Sequence, residues 1–353
     1  MKLKRINFLV ATCLVATLSV ARASAADVWP FGVIEVNGAG TKPVEYQGLE
    51  KASKKWNICV LFPHMKDSYW VAVDYGIADQ ATRLGVKATI FQAGGYTEAA
   101  KQVAQYNDCL ALNADAIIIG AISEAGLAKS MEEGKAKGIV QVGVINPLQG
   151  DVADAKIFAN YDDASEAGAK FLIEQAKGKS GKLKLVHFPG PQGSGWAEAS
   201  TNGLTRAISG SNVEMAEAKY GDTGKSVQLK LVEDAIQTYD DIDIIYGTAV
   251  TAEVAKQALQ EAGVSRPVTV AAYYSNEGLI NLIKSGDVTA TVTESPVMEA
   301  RIAVDLAVRI LEKKDYQRSL RPAMTIVTKE NIDKIDASRS FAPADWKPVY
   351  SVQ

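Results

Sequence analysis

The sequence predicts an α/β protein of two doubly wound lobes, each a parallel sheet covered on both faces by helices. Three observations predict this architecture. Strand-like apolar runs alternate with helical segments along most of the chain. There are more such runs than one small sheet holds, and the two halves of the chain repeat one local pattern.

The first 25 residues are predicted to be a cleaved signal peptide outside the fold. A basic start at residues 2–5 precedes an apolar core from Phe8 to Val20, and Ala23-Ser24-Ala25 supplies a cleavage pattern. The core is too short to serve comfortably as a permanent membrane helix. Cys13 suggests a lipoprotein, but the residue before it is wrong for that class. We therefore expect export and cleavage.

The charge balance excludes nucleic acid as a partner. The chain has 353 residues, and the 328 that follow the signal peptide suffice for two lobes. Those residues hold 34 Lys and Arg against 41 Asp and Glu, which gives a net charge of −7 with neutral histidines. No basic patch interleaved with aromatic residues is present.

Strands and helices are predicted in alternation after an irregular lead from Ala26 to Lys55. The predicted strands are 57–63, 87–92, 116–119, 139–145, 183–188, 212–217, 242–246, 268–272, 288–293 and 323–328. The predicted helices are 70–84, 97–112, 125–137, 162–177, 194–208, 225–238, 250–262, 276–285 and 296–313.

The two halves of the chain share one local pattern. "LALNADAIIIGAIS", at 110–123, passes from a helix through an aspartate into a buried strand, small residues and the next helix. "LVEDAIQTYDDIDIIYGTAVTAEVAKQAL", at 231–259, follows the same order. A duplicated lobe explains the pattern, and similar local physics would also produce it.

The chain lacks the residues of common catalytic sites. His64 and His187 have no Cys or His partner at metal-ligand spacing, and no G-x-S-x-G elbow is present. We therefore predict no enzyme, no metal and no cofactor. His64 is expected to be a partly exposed loop histidine, although its position near a strand end also suits ligand contact.

Two glycine motifs call for interpretation. "KYGDTGKSV", at 219–227, lacks the first glycine of a P-loop. "PGPQGSGW", at 189–196, follows a strand and opens a helix whose free N–H groups suit a polar oxygen. It is either a ligand-contacting loop or a plain glycine-rich turn.

Two cysteines remain after the signal peptide. Cys59 lies on the first predicted strand and Cys109 on the second predicted helix, which are neighbours in a βαβ unit. They either remain buried thiols or form a disulfide, and the oxidising compartment of an exported protein favours the disulfide.

Aromatic residues recur where the predicted strands end. In doubly wound sheets, ligands bind outside the carboxyl ends of the strands. The residues at these positions are Asp67-Ser68-Tyr69-Trp70, Gly94-Gly95-Tyr96, Ile122-Ser123, Asn146-Pro147, Asn160-Tyr161, Pro189 to Trp196, Thr248-Ala249 and Tyr273-Tyr274. Packing at the junction between lobes is the alternative role for some of these rings.

The alternation, and above all "AGGYTEAAKQVAQYNDCLALNADAIIIGA", resembles the type I periplasmic binding proteins of the ribose-binding-like group. The resemblance covers about 53–330. It implies two Rossmann-like lobes joined by a three-strand hinge, a periplasmic location, and a ligand held between the lobes. Ser200 and Ala249 stand where sugar-binding members carry an arginine and an aspartate, so a sugar ligand is not expected.

A narrower resemblance is to the members of this family that sense trimethylamine N-oxide (TMAO) for a membrane histidine kinase. It rests on "WNICVLFPHMKDSYWVAVDYG", "QAGGY", "GTAVTAE" and the terminal "KPVYSVQ". It implies TMAO or a related methylated solute as ligand and the sensor domain of such a kinase as partner. The alternative function is a substrate-binding protein of an ABC importer for a small methylated amine or sugar.

Aromatic faces attract methylated cations, which fits this ligand class. The resemblance makes Tyr69, Trp70 and Tyr274 candidate ligand-binding residues, with Asp67 beside them. The related proteins carry a tryptophan where this chain has Asn160-Tyr161, so either Tyr161 or Trp196 is expected to replace that tryptophan.

The predicted domain organisation follows from the same family plan. It consists of a signal peptide (1–25), an N-terminal arm (26–52), a first lobe (53–147 with 275–320), a second lobe (148–274 with 321–340) and a C-terminal tail (341–353). The arm either packs on its own lobes or contributes to a partner surface.

Overall fold

The computed structural model describes residues 28–38, 40–148, 150–178 and 180–353. The predicted signal peptide, with Cys13, and the first two residues of the arm lie outside the described residues. Within the described part of the chain, no helix has both the length and the apolar character to cross a membrane.

Strands and helices alternate from residue 57 onward, as predicted. The strands are β1 (Phe31–Asn37), β2 (Gly40–Tyr46), β3 (Asn57–Phe62), β4 (Lys87–Gln92), β5 (Ala116–Ile119), β6 (Val140–Ile145), β7 (Ala155–Phe158), β8 (Leu183–Phe188), β9 (Val213–Ala218), β10 (Ile244–Gly247), β11 (Thr269–Ala272), β12 (Thr291–Thr293), β13 (Ser319–Pro322), β14 (Thr325–Val327) and β15 (Ser351–Val352). The helices are α1 (Ser68–Leu84), α2 (Ala99–Ala111), α3 (Glu124–Ala136), α4 (Tyr161–Gln175), α5 (Gly195–Ile208), α6 (Lys225–Thr238), α7 (Ala249–Glu261), α8 (Leu279–Ser285), α9 (Pro296–Leu311) and α10 (Ala337–Ser340), with a 3-10 turn at Ile332–Lys334.

The first lobe is built on a nine-stranded sheet in the order β15-β4-β3-β5-β6-β7-β13-β1-β2. Strands β3 to β7 and β13 pair in parallel, and β1, β2 and β15 are antiparallel additions at the two edges. Helices α1 and α9 cover one face, and α2 and α3 cover the other. Both faces of the central strands are therefore buried, which explains their continuous apolar runs.

The second lobe is built on a parallel sheet in the order β11-β10-β8-β9. The repeated pattern has a structural counterpart here. Asp115, before β5, accepts the Asn57 N–H at 2.8 Å, and Asp243, before β10, accepts the Lys184 N–H at 2.8 Å. In each lobe, the repeated aspartate thus binds the start of a neighbouring strand.

Three connections join the lobes among the described residues, which confirms the predicted two-lobed fold with a three-strand hinge. They run from β7 to α4, from β12 to α9 and from β13 to β14.

The predicted lobe boundaries differ from those in the structure. Strand β7 pairs with β6, so 155–158 belongs to the first lobe and not to the second. Strand β12 pairs with β14, and Ala290 bridges to Ala271, so 275–293 lies with the second lobe. The differences arise because β7 and β12 are short strands whose sheet is decided by pairing and not by local pattern.

The lead expected to be irregular contains the β1–β2 hairpin. Strand β1 pairs with β13, and Tyr46 at the end of β2 donates to Asp305 of α9 at 2.7 Å. The arm therefore packs on its own first lobe, which is one of the two predicted alternatives. Strand β2 was missed because it is largely exposed and carries Pro43, which only an edge strand tolerates.

Cys59 of β3 and Cys109 of α2 form a disulfide, with their Cα atoms 5.8 Å apart. The oxidised alternative predicted from the sequence is thus confirmed. The bond ties α2 to the first sheet at its central strand β3.

Candidate functional site

The first lobe presents two aromatic residues at the carboxyl end of its sheet. Asp67 caps α1 by accepting the Trp70 N–H at 3.1 Å, which places Tyr69 and Trp70 in the first helical turn. The Trp70 ring lies against Gly120, just after β5, where an added Cβ would come within 2.6 Å of the ring. Only glycine therefore allows this ring position.

The second lobe repeats this arrangement. Trp196 is the second residue of α5, and its ring lies against Gly190, just after β8. A Cβ at Gly190 would lie 2.4 Å from the Trp196 ring, and the φ of +109° also favours glycine. Tyr161 opens α4, and Tyr274 follows β11. Each lobe thus brings a tryptophan fixed by a glycine to the cleft.

Aromatic rings from both lobes surround one small cavity, which we call the aromatic cage. The ring centroids of Tyr69 and Tyr274 lie 5.2 Å apart, those of Tyr161 and Trp196 5.7 Å, and those of Tyr96 and Trp196 5.4 Å. The space left between the rings is about 10 Å³, roughly the least that one water molecule needs. A larger ligand therefore requires the rings or the lobes to move apart. The residues that line it are Asp67, Tyr69, Trp70, Tyr96, Asn146, Tyr161, Trp196, Thr223 and Tyr274.

All six candidate ligand-binding residues lie in the aromatic cage, and both proposed replacements for the missing tryptophan contribute. The candidate set omitted Tyr96, Asn146 and Thr223. Tyr96 and Asn146 follow β4 and β6, so the strand-end rule already pointed to them. Thr223 lies in the P-loop-like segment at 219–227. It lines the cage only because the two lobes meet there.

Hydrogen bonds join the two lobes around the cage. The hydroxyls of Tyr69 and Tyr161 are 3.1 Å apart, and His64 Nε2 lies 3.1 Å from Thr223 Oγ1. Asp222 of the second lobe accepts the Tyr96 N–H at 3.3 Å and also pairs with the Lys66 ammonium. The lobes are therefore closed over the cavity.

The prediction of a partly exposed His64 is wrong, since the residue is fully buried. Thr223 from the opposite lobe covers it, and burial lowers the pKa of His64 to about 4. The imidazole is therefore neutral near pH 7. His187 is also buried, with a pKa lowered by burial to about 4, and contacts Ser200 inside the second lobe.

The cage is acidic. Burial raises the pKa of Asp67 to about 7, with smaller contributions that include the nearby Glu253 charge. Glu294, which accepts the Tyr69 hydroxyl at 2.9 Å, has its pKa raised by burial to about 8. Burial also raises the pKa of Glu299 well above its ordinary value. None of the described residues that line the cage is basic, so the site favours a cation over an anion.

A wider cleft lies beside the cage and shares Asn146, Tyr161 and Trp196 with it. Residues 193 and 195 of the "PGPQGSGW" loop line this cleft, and Trp196 at its end lines the cage. The loop therefore reaches the cleft between the lobes and is more than a remote turn.

A second group of carboxylates lies outside the cage. Asp162, Asp163 and Glu166 bring oxygen atoms within 4.8 Å of one another. Arg206 pairs with Asp162 and Glu166, and Arg321 pairs with Asp163. These arginines neutralise the negative charge that would be needed to bind a metal cation at this group of carboxylates.

Ser200 and Ala249, at the positions where sugar-binding members carry an arginine and an aspartate, are not placed to hydrogen-bond the hydroxyl groups of a sugar. Ser200 is buried and donates to the Ala197 carbonyl at 2.8 Å, and Ala249 is buried at the start of α7. Neither residue lines the cage.

The fold and the cleft between its lobes define a ligand-binding protein of the periplasmic type. The chain belongs to the periplasmic binding protein domain family, whose sequence model matches residues 58–315. The family predicted from the sequence is thereby confirmed.

Individual relatives narrow the comparison. The periplasmic protein TorT of Escherichia coli K12 is 27% identical over 303 residues, which cover 86% of each chain. A solved ABC transporter solute-binding protein from Bradyrhizobium sp. BTAi1, with bound bis-tris, is 41% identical with a TM-score of 0.78, covering 91% of this chain and 98% of that one. A TorS sensor domain–TorT complex in the presence of TMAO matches at 25% identity and a TM-score of 0.74, covering 84% of this chain and 100% of that one.

Proposed function

We propose that the chain is a periplasmic receptor that binds TMAO, or a closely similar methylated solute, and signals to a membrane histidine kinase. The observation that carries the proposal is the closed aromatic cage with Asp67 in its wall. Each well-placed ring attracts a methylated cation by about 0.5–2 kcal/mol. The similarity to TorT and to its complex with TorS supports the same ligand and partner.

Signalling follows from lobe closure. Residues of both lobes line the cage, so a ligand held there binds the closed form better than the open form. A ligand shifts the equilibrium by its difference in affinity between the two forms. The surface that the kinase reads is then the one that changes when the lobes close. The family is one of binding proteins by its description, so we propose binding and no turnover.

The ligand is tested by calorimetric titration of the chain from residue 26 with TMAO, trimethylamine, glycine betaine and ribose. We expect saturable binding of TMAO that is lost in Trp70→Ala and in Tyr274→Ala. Tyr316→Ala is the matched control, because Tyr316 is 40% exposed and lies outside the cage. Binding of ribose alone would refute the proposal.

A second candidate function is a substrate-binding protein of an ABC importer. It is favoured by the 41% identity to the Bradyrhizobium solute-binding protein. Deletion of the gene separates the two functions in the source bacterium. Loss of TMAO-dependent gene induction with unchanged TMAO uptake supports the sensor, whereas loss of uptake supports the importer.

A further inference from the structure

Trp196 has a buried indole N–H without a partner. Its side chain is 4% exposed, and Nε1 has no hydrogen-bond partner among the described residues. Two other tryptophans differ, since Trp56 donates to Glu312 at 3.2 Å and Trp346 to Asp74 at 3.0 Å. Buried donors are nearly always paired, so this group calls for an acceptor.

The Trp196 ring is held in place from several sides. Gly190 lies directly against its six-membered ring, and the rings of Tyr96 and Tyr161 lie 5.4 Å and 5.7 Å away. These contacts pack the indole and restrict its rotation.

The two lobes present different chemistry to the cage. The first lobe contributes the carboxyl group of Asp67 beside Trp70, and the second contributes Trp196, whose indole N–H has no partner among the described residues. A carboxylate and an aromatic face suit a methylated cation, whereas an indole N–H suits an oxygen acceptor. The cage thus matches a molecule that has a methylated cationic end and an acceptor oxygen at the other end.

We propose that Trp196 determines specificity by donating its indole N–H to an acceptor oxygen of the ligand, whose methylated end faces Asp67 and Trp70. The proposal rests on the proposed function and narrows its ligand class to methylated ammonium compounds that carry an acceptor oxygen. The ligand then bridges the lobes, with one end held by each. A methylated cation without oxygen leaves Trp196 unpaired.

The test compares TMAO with tetramethylammonium, which has methyl groups and positive charge but no oxygen. In the unaltered protein we expect TMAO to bind more tightly. In Trp196→Phe, which keeps an aromatic ring and removes the donor, TMAO affinity is expected to fall about 10-fold. Tetramethylammonium affinity is expected to stay unchanged, and so is TMAO affinity in the control Trp346→Phe.

A direct readout is the indole resonance of Trp196 in ¹⁵N-labelled protein, assigned by its loss in Trp196→Phe. It is expected to shift downfield with TMAO and not with tetramethylammonium. If Trp196→Phe does not fold, benzothienylalanine at this position keeps the ring size and replaces the N–H by sulfur.

The outcomes separate the inference from the proposed function. An unaltered protein that binds neither TMAO nor glycine betaine refutes both. TMAO binding that is equally tight after loss of the Trp196 donor, or an indole resonance that does not respond, overturns only the role of Trp196.

Discussion

Replacing Asp67 by asparagine is expected to make the ligand-free protein more stable, and increasingly so as the pH rises. Asparagine keeps an oxygen that accepts the Trp70 N–H, so the cap of α1 is retained. It removes the charge that burial disfavours. Since burial raises the pKa of Asp67 from 3.8 to about 7, the unfolded chain loses this proton at lower pH than the folded protein does.

The magnitude and sign follow from proton linkage. A group with a raised pKa in the folded state contributes its stability fully below the unfolded pKa and loses it as the pH rises through the folded pKa. The shift corresponds to about 4 kcal/mol. The free energy of unfolding of Asp67→Asn should therefore match that of the unaltered protein near pH 4. Near pH 8, the free energy of unfolding of the variant should exceed that of the unaltered protein by about 4 kcal/mol.

The assay is urea unfolding followed by tryptophan fluorescence at intervals from about pH 4 to about pH 8. Titrating groups that do not interact with Asp67 are common to both proteins and cancel in the difference. Asp108→Asn, on the exposed side of α2, is the control for loss of one carboxylate. A difference between Asp67→Asn and the unaltered protein that stays constant across this range would show that Asp67 is not desolvated as described.

Three further predictions concern the cage, the disulfide and the closed lobes. In Gly120→Ala, the added Cβ would meet the Trp70 ring at 2.6 Å, so the variant should lose about 1–3 kcal/mol in ligand affinity or stability. Calorimetry measures the affinity and urea unfolding measures the stability. The control Gly38→Ala, with open space around the added Cβ, should leave both quantities unchanged. Replacing both Cys59 and Cys109 by alanine opens a loop with a sequence separation of 50 and should lower the free energy of unfolding by about 4 kcal/mol. The unaltered protein in reductant should unfold at the same urea concentration as the variant. Equal stability with and without the disulfide would contradict the prediction. Asp222→Asn weakens the contacts to Lys66 and to the Tyr96 N–H. Small-angle X-ray scattering of this variant should show a larger radius of gyration without ligand and a return to the compact form with TMAO. An unchanged radius of gyration would mean that these contacts do not hold the lobes closed.

Most of the fold was predictable from the sequence because the central strands are buried on both faces. Strand β5, at Ala116–Ile119, is apolar and buried throughout, and helices of clear pattern flank it. The short strands β7, β13 and β15 carry no such signal, since a strand of two to four residues is stabilised by its neighbours in the sheet.

The site was partly predictable for a different reason. The strand-end rule points to Tyr69, Trp70 and Tyr274 from the sequence alone. Contacts across the cleft were not predictable, because they depend on how the two lobes meet. His64 shows the difference: its own loop suggests exposure, and Thr223 from the other lobe buries it.

The nine-stranded sheet is assembled from segments that are far apart in the chain. Strand β1, at Phe31–Asn37, pairs with β13, at Ser319–Pro322, and β15, at Ser351–Val352, pairs with β4. During synthesis, this sheet cannot be finished until residues 351 and 352 have left the ribosome. Until then, β4 keeps an open edge that is prone to pair with other chains. Strand β1 keeps one until β13 has been made. Synthesis or transport that stops short of β15 is therefore expected to yield an aggregation-prone fragment and not a smaller working binding protein.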